Sequence, residues 1–137
     1  MLVAILDEVL NDLAAEGDDL DRLLSGIGRD QWELATPAPG WTIAHQIGHL
    51  ASSDRLAMLA ATDAEAFRLR QAALAHDFDA AVEAGAGEFV AASPEQLLSR
   101  WREGRFGLRD ALAGQAHPIG RTAHPISGEF SQSSQYD

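Results

Sequence analysis

"GWTIAHQIGHLASSD", Gly40–Asp54, follows a Pro-Gly turn with apolar residues at helical spacing, and it sets two of the chain's five histidines four residues apart. Thr42 suits an N-cap, and the helix it opens is expected to run to about Ala61. His45 stands three residues on, where a capping box uses Glu or Gln. His45 and His49 are i and i+4, so their side chains share one side of the helix, as two ligands of a common metal would. The apolar face is centred near Ile43, Ile47, Leu50, Met58 and Ala61. His49 borders that face with Ser53 and Leu56, whereas His45 is turned further towards solvent. His49 is therefore the better candidate for a ligand aimed into a bundle. The plainer reading is a half-buried histidine hydrogen-bonded to a neighbouring helix, and the spacing alone leaves both open.

Asp54 falls within the apolar face, where an unpaired carboxylate is costly. An ion pair with Arg105 or Arg109 on a facing helix is the expected remedy. Asp54 lies roughly 140° around the helix from His49, at 3.6 residues per turn. The two cannot hold one ion by themselves.

Outward from this segment the pattern stays helical. Leu2, Leu6, Val9, Leu10 and Leu13, then Leu20, Leu23, Leu24 and Ile27, form one long amphipathic stripe, with Gly17 as a candidate bend. "TPAPGW" ends it, because Pro37 and Pro39 cannot continue a helix. Downstream, Thr62 and Glu65 have capping-box spacing for a third helix carrying Phe67, Leu69 and Leu74. Phe78, Val82, Phe89 and Val90 follow in a segment weakened by Gly85 and Gly87, which reads as one helix or two short ones. Ser93, Pro94 and Gln96 supply the N-cap, first position and box partner of a further helix, whose Leu97, Leu98, Trp101, Leu108 and Leu112 face one way. No segment alternates with period two, so strands are not expected. Trp41 and Trp101 read as packing residues, Trp41 fixing the start of the second helix. After Gly114, "QAHPIGRTAHPISGEFSQSSQYD" loses helical periodicity, which divides the chain into a helical domain, 1–114, and an irregular tail, 115–137.

Composition narrows the function. The net charge of −11 and ten scattered arginines without a lysine argue against a nucleic-acid partner. With no cysteine, a metal would be held by nitrogen and oxygen donors, and a thiol nucleophile would have to arrive with a substrate. The amino terminus lacks a basic region and carries aspartate within seven residues, so it reads as neither signal peptide nor membrane span, and a cytoplasmic location is expected.

"LAAEGDDLDRLL" from Leu13, "TPAPGWTIAHQIGHLASSDRLAMLAATDAEAF" from Thr36 and "LLSRWREGRFGLRDAL" from Leu97 together resemble the amino-terminal domain of the mycothiol-dependent maleylpyruvate isomerase family, in the DinB-like superfamily, over about Leu13–Ala113. The resemblance implies an all-α, up-and-down bundle. It also implies a divalent metal, usually zinc, held by one histidine of the second helix and a Glu-x-x-x-His pair on the last. The second-helix ligand maps onto His49; His45 occupies a position the family does not use. The last-helix pair has no counterpart: Glu129 lacks a histidine four residues on, and His117 and His124 each precede proline. A truncated or frame-shifted copy, a shortened chain and a natural variant using tail histidines would each produce this departure. The expected function is a DinB-like divalent-metal protein related to mycothiol-using isomerases or transferases, acting on a small-molecule substrate if active, with an incomplete metal site. The alternative is a catalytically inactive helical module. A fourth helix missing or replaced by the tail would leave an apolar face open, and a homodimer is the simplest cover.

Overall fold

The computed structural model describes residues 1–116, and these are all-α. The helices are α1 (Leu2–Ser25), α2 (Ile43–Thr62), α3 (Ala64–Leu74), α4 (Phe78–Val90) and α5 (Pro94–Ala116), with a short 3-10 helix, Arg29–Glu33, after α1. α5 runs two residues past the expected domain boundary at 114, with Gln115 Nε2 donating to the Ala61 carbonyl at 3.1 Å, so Gln115 and Ala116 are helical and not part of an irregular tail. The rest of the proposed tail, and with it His117, His124 and Glu129, lies outside the described residues.

The helix starts follow local chemistry. Thr42 Oγ1 accepts from the His45 amide, and Ser93 Oγ accepts from the Gln96 amide at 3.2 Å while Gln96 returns its Oε1 to the Ser93 N–H. At α3 the cap is Asp63, one residue beyond the expected Thr62, with Oδ1 accepting from Ala66 at 3.0 Å. Thr62 instead closes α2, donating to the Met58 carbonyl. Residues 78–90 form one helix despite Gly85 and Gly87. A Cβ at Gly85 would stand 2.6 Å from Ser52 Oγ, so this glycine permits close approach to α2.

α1 runs through Gly17 as a single helix. The glycine makes room for Arg105, whose Nη1 lies 2.7 Å from where a Cβ would be. Asp18 and Asp21 of α1 pair with Arg105 and Arg102 of α5, which sets the two helices antiparallel. Hydrogen bonds from Arg102, and its charge, hold the Asp21 carboxyl below its usual range. A carboxylate lowered in this way stabilises the fold at neutral pH, and that contribution is lost as pH falls through its folded value.

The core gathers Leu24, Trp32, Ile47, Ala51, Phe89, Leu97 and Trp101. Leu97 and Trp101 are 1% and 3% exposed. α2 is the hub, packing on both α4 and α5. It runs parallel to α5, since Ile47 shares the core with Leu97 while Met58 meets Gly107. That parallel arrangement follows from the α3–α4 excursion between them. No helix among the described residues is long and apolar enough to cross a membrane.

Candidate functional site

The loop before α2 is pinned from several directions. Gly40 takes φ of 78°, open to glycine without a steric penalty, and lets the chain turn after Pro39. The Thr36 N–H then donates to the Trp41 carbonyl at 2.8 Å and the Ile43 N–H to the Leu34 carbonyl at 3.0 Å. Gln46 Nε2 donates to Thr36 Oγ1, which itself donates to the Trp41 carbonyl. Trp41 is thereby fixed, and its Nε1–H donates to Glu83 Oε1 of α4 at 2.8 Å. It stands at the start of α2 as expected, but half-buried and outside the core cluster; Glu83, 42 residues away, leaves no local pattern in the sequence.

His45 and His49 flank this indole. The ring centroids lie 6.3 Å from Trp41 for His45 and 5.4 Å for His49. His45 completes the capping box with a ring nitrogen: the Thr42 N–H donates to Nδ1 at 3.3 Å, with Thr42 Oγ1 2.9 Å from the same atom. His45 is thus a helix-capping residue, which separates it from His49 more firmly than the helical wheel did.

His49 is half-buried and makes no hydrogen bond among the described residues, so the expected bond to a neighbouring helix is absent there. It stands at the edge of an open cleft of about 560 Å³ between α2, α3 and α4, walled by Ser52, Arg55, Leu59, Phe78 and Glu88. Arg55 and Glu88 pair across it at 3.0 Å.

Asp54 faces a different cavity, a groove of about 230 Å³ between α1, α2 and α5. His49 and Asp54 are therefore apart, as their angular separation requires. The expected ion pair with Arg105 or Arg109 is not formed. Arg105 is 13% exposed and gives its hydrogen bonds to Asp18 and Asp21. Burial consequently pushes the Asp54 carboxyl up, with the Arg105 charge opposing it.

A divalent ion held by protein alone needs three or four donors. Among the described residues no three His, Asp or Glu side chains are grouped to provide them. His49 is not part of any such group among the described residues.

Residues 13–128 match the family of the mycothiol maleylpyruvate isomerase N-terminal domain. The chain belongs to this family. Two uncharacterised proteins of Mycobacterium tuberculosis, from strains CDC 1551 and H37Rv, are each 47% identical to it over 110 residues, covering 80% of this chain and 42% of theirs. The chain thus spans less than half the length of the curated relatives it matches. No solved structure matches.

Proposed function

We propose that the chain is the metal-binding helical domain of a mycothiol-linked isomerase or transferase, with His49 as its donor from α2. The observation that carries this reading is His49 itself, an imidazole with both nitrogens unpartnered among the described residues, held by Trp41 at the mouth of a cleft, in a member of the maleylpyruvate isomerase N-terminal family. The remaining donors must come from outside residues 1–116, where this sequence offers His117, His124 and Glu129. A bound zinc would favour the thiolate of a small-molecule thiol such as mycothiol, which suits a chain without cysteine. The cleft would exclude water from one side of the reacting thiol, and Trp41, tethered by Glu83, would keep the His49 ring in place.

Metal content after purification without a histidine tag tests this. Zinc near one equivalent is expected, falling by most of its value in His49→Ala and little in His45→Ala. Equal losses would place the site on the i, i+4 pair, and a wild-type content below about a tenth of an equivalent would reject the metal-protein reading.

A second reading, a helical module acting through self-association as a homodimer, draws on α1. Leu2, Ile5, Val9 and Leu13 recur along it and are all exposed, at 81%, 53%, 54% and 41%. Contiguous apolar surface of this kind marks interaction sites. Sedimentation at micromolar concentration is expected to show a dimer that Val9→Glu dissociates; a monomer at all concentrations would remove this reading.

A further inference from the structure

We propose that the groove between α1, α2 and α5 is a binding site for a small amphipathic organic cation, an ammonium carried on a single apolar ring, with Asp54 as its counter-ion. The groove's walls are apolar on three helices, with Leu13 and Leu20 from α1, Leu50 from α2, and Trp101, Phe106 and Leu108 from α5. Its volume of about 230 Å³ exceeds the roughly 150 Å³ in which an engineered protein cavity takes up benzene. A ring with a short arm therefore fits within the groove.

Polar chemistry selects what the arm must carry. Asp54 lies half-buried in the wall and makes no hydrogen bond or ion pair among the described residues. The charged groups that share the groove are Glu16 of α1 and Arg105 and Arg109 of α5. Arg105 is committed elsewhere: Asp18 and Asp21 take its Nη2, and its guanidinium lies 4.5 Å from the Phe106 ring centre and 5.2 Å from that of Trp101. Its Nε is buried without a hydrogen-bond partner among the described residues. Arg109 is exposed at the rim. Asp18 and Asp21 together offset Arg102 and Arg105, although the Arg105 charge still reaches Asp54; of the remaining groups Asp54 and Glu16 outweigh Arg109, and a chain of net charge −11 adds no attraction for an anion. An ammonium inserted beside Asp54 supplies the charge the fold withholds, while its ring replaces water against leucine and aromatic surface.

This site lies apart from His49 and does not depend on bound metal. The test uses the full chain with three probes of one shape: phenethylamine, 2-phenylethanol and 3-phenylpropionate. Calorimetry or amide-shift titration near pH 7.5 is expected to show the amine binding at least tenfold more tightly than the alcohol, and the acid not at all. Asp54→Asn, nearly isosteric and relieved of a buried charge, is expected to keep its circular dichroism and lose the preference for the amine. In the wild-type chain, saturating amine should shift the Asp54 carboxyl titration, followed by carbon NMR, to lower pH. Equal binding of amine and alcohol, tighter binding of the acid, no binding of any probe, or an unchanged Asp54 titration would each overturn the proposal.

Discussion

Replacing Trp101 by alanine is expected to cost about 3–5 kcal/mol of folding stability, the range for truncating a large buried aromatic. The residue is 3% exposed and sits where α1, α2, α4 and the 3-10 helix converge, sharing the core with Leu24, Trp32, Ile47, Ala51, Phe89 and Leu97. Its loss would leave a void bounded by five helical segments, too constrained by their mutual contacts to collapse around it. The indole also supports the Arg105 guanidinium, so the α1–α5 ion pairs would lose a wall as well as a neighbour. Set against a net stability of about 5–15 kcal/mol for an ordinary domain, this single change would bring the fold near its threshold. Urea unfolding followed by far-ultraviolet circular dichroism measures it. A loss under about 1 kcal/mol would mean that the indole is not at the centre of the core.

The second large effect is expected at Gly48, and two opposing contributions decide its sign. Alanine is a better helix former than glycine by about 1 kcal/mol, which favours the substitution. Yet a Cβ at Gly48 would lie 2.7 Å from the Ala86 carbonyl oxygen and 3.1 Å from Phe89 Cβ. The first of these is backbone of α4, which cannot rotate away as a side chain can, so α4 must move off α2. Overpacking of this kind costs about 1–3 kcal/mol, and bulkier residues cost more. Gly48→Ala is therefore expected to destabilise in spite of its propensity. Gly104→Ala provides the contrast, since a Cβ there meets nothing within 4 Å and should stabilise by about 0.5–1 kcal/mol. If thermal melts moved the two variants in the same direction, the close α2–α4 contact would be wrong.

These glycines also show where the sequence was readable and where it was not. The starts of α2 and α5 were legible because Thr42 and the Ser93-Pro94-Gln96 set satisfy orphan amides within three residues. The core positions Ile47, Leu97 and Trp101 followed from periodicity. Gly85 weakens a helix in isolation, but its value lies in what it lets Ser52 approach, and that partner is 33 residues away. Trp32 escaped notice because a 3-10 turn of five residues has no amphipathic period to reveal a buried side. At Leu50, placed on the apolar face by the wheel, 37% exposure results from the groove beside it.

The candidate site divides the same way. His49 was separable from His45 by helical angle and by the family motif. The capping role of His45 is half legible: its position fits the box, but imidazole is not the Glu or Gln that a box ordinarily carries. Asp54 was correctly marked as a burden. Its expected partner was wrong because arginine choice is a competition: Asp18 and Asp21, one and four residues after Gly17, hold Arg105 instead.

Gly17 and Arg105 consequently form one unit. Any side chain at position 17 would occupy the space that the guanidinium crosses, and Asp18 and Asp21 would then lose one of the cations facing them. A side chain at position 17 would make the guanidinium shift, and a shorter residue at 105 would remove it, so either change disturbs the pairing with Asp18 and Asp21. A glycine in mid-helix, costly to α1 alone, is thus offset by the cation it admits to the α1–α5 seam.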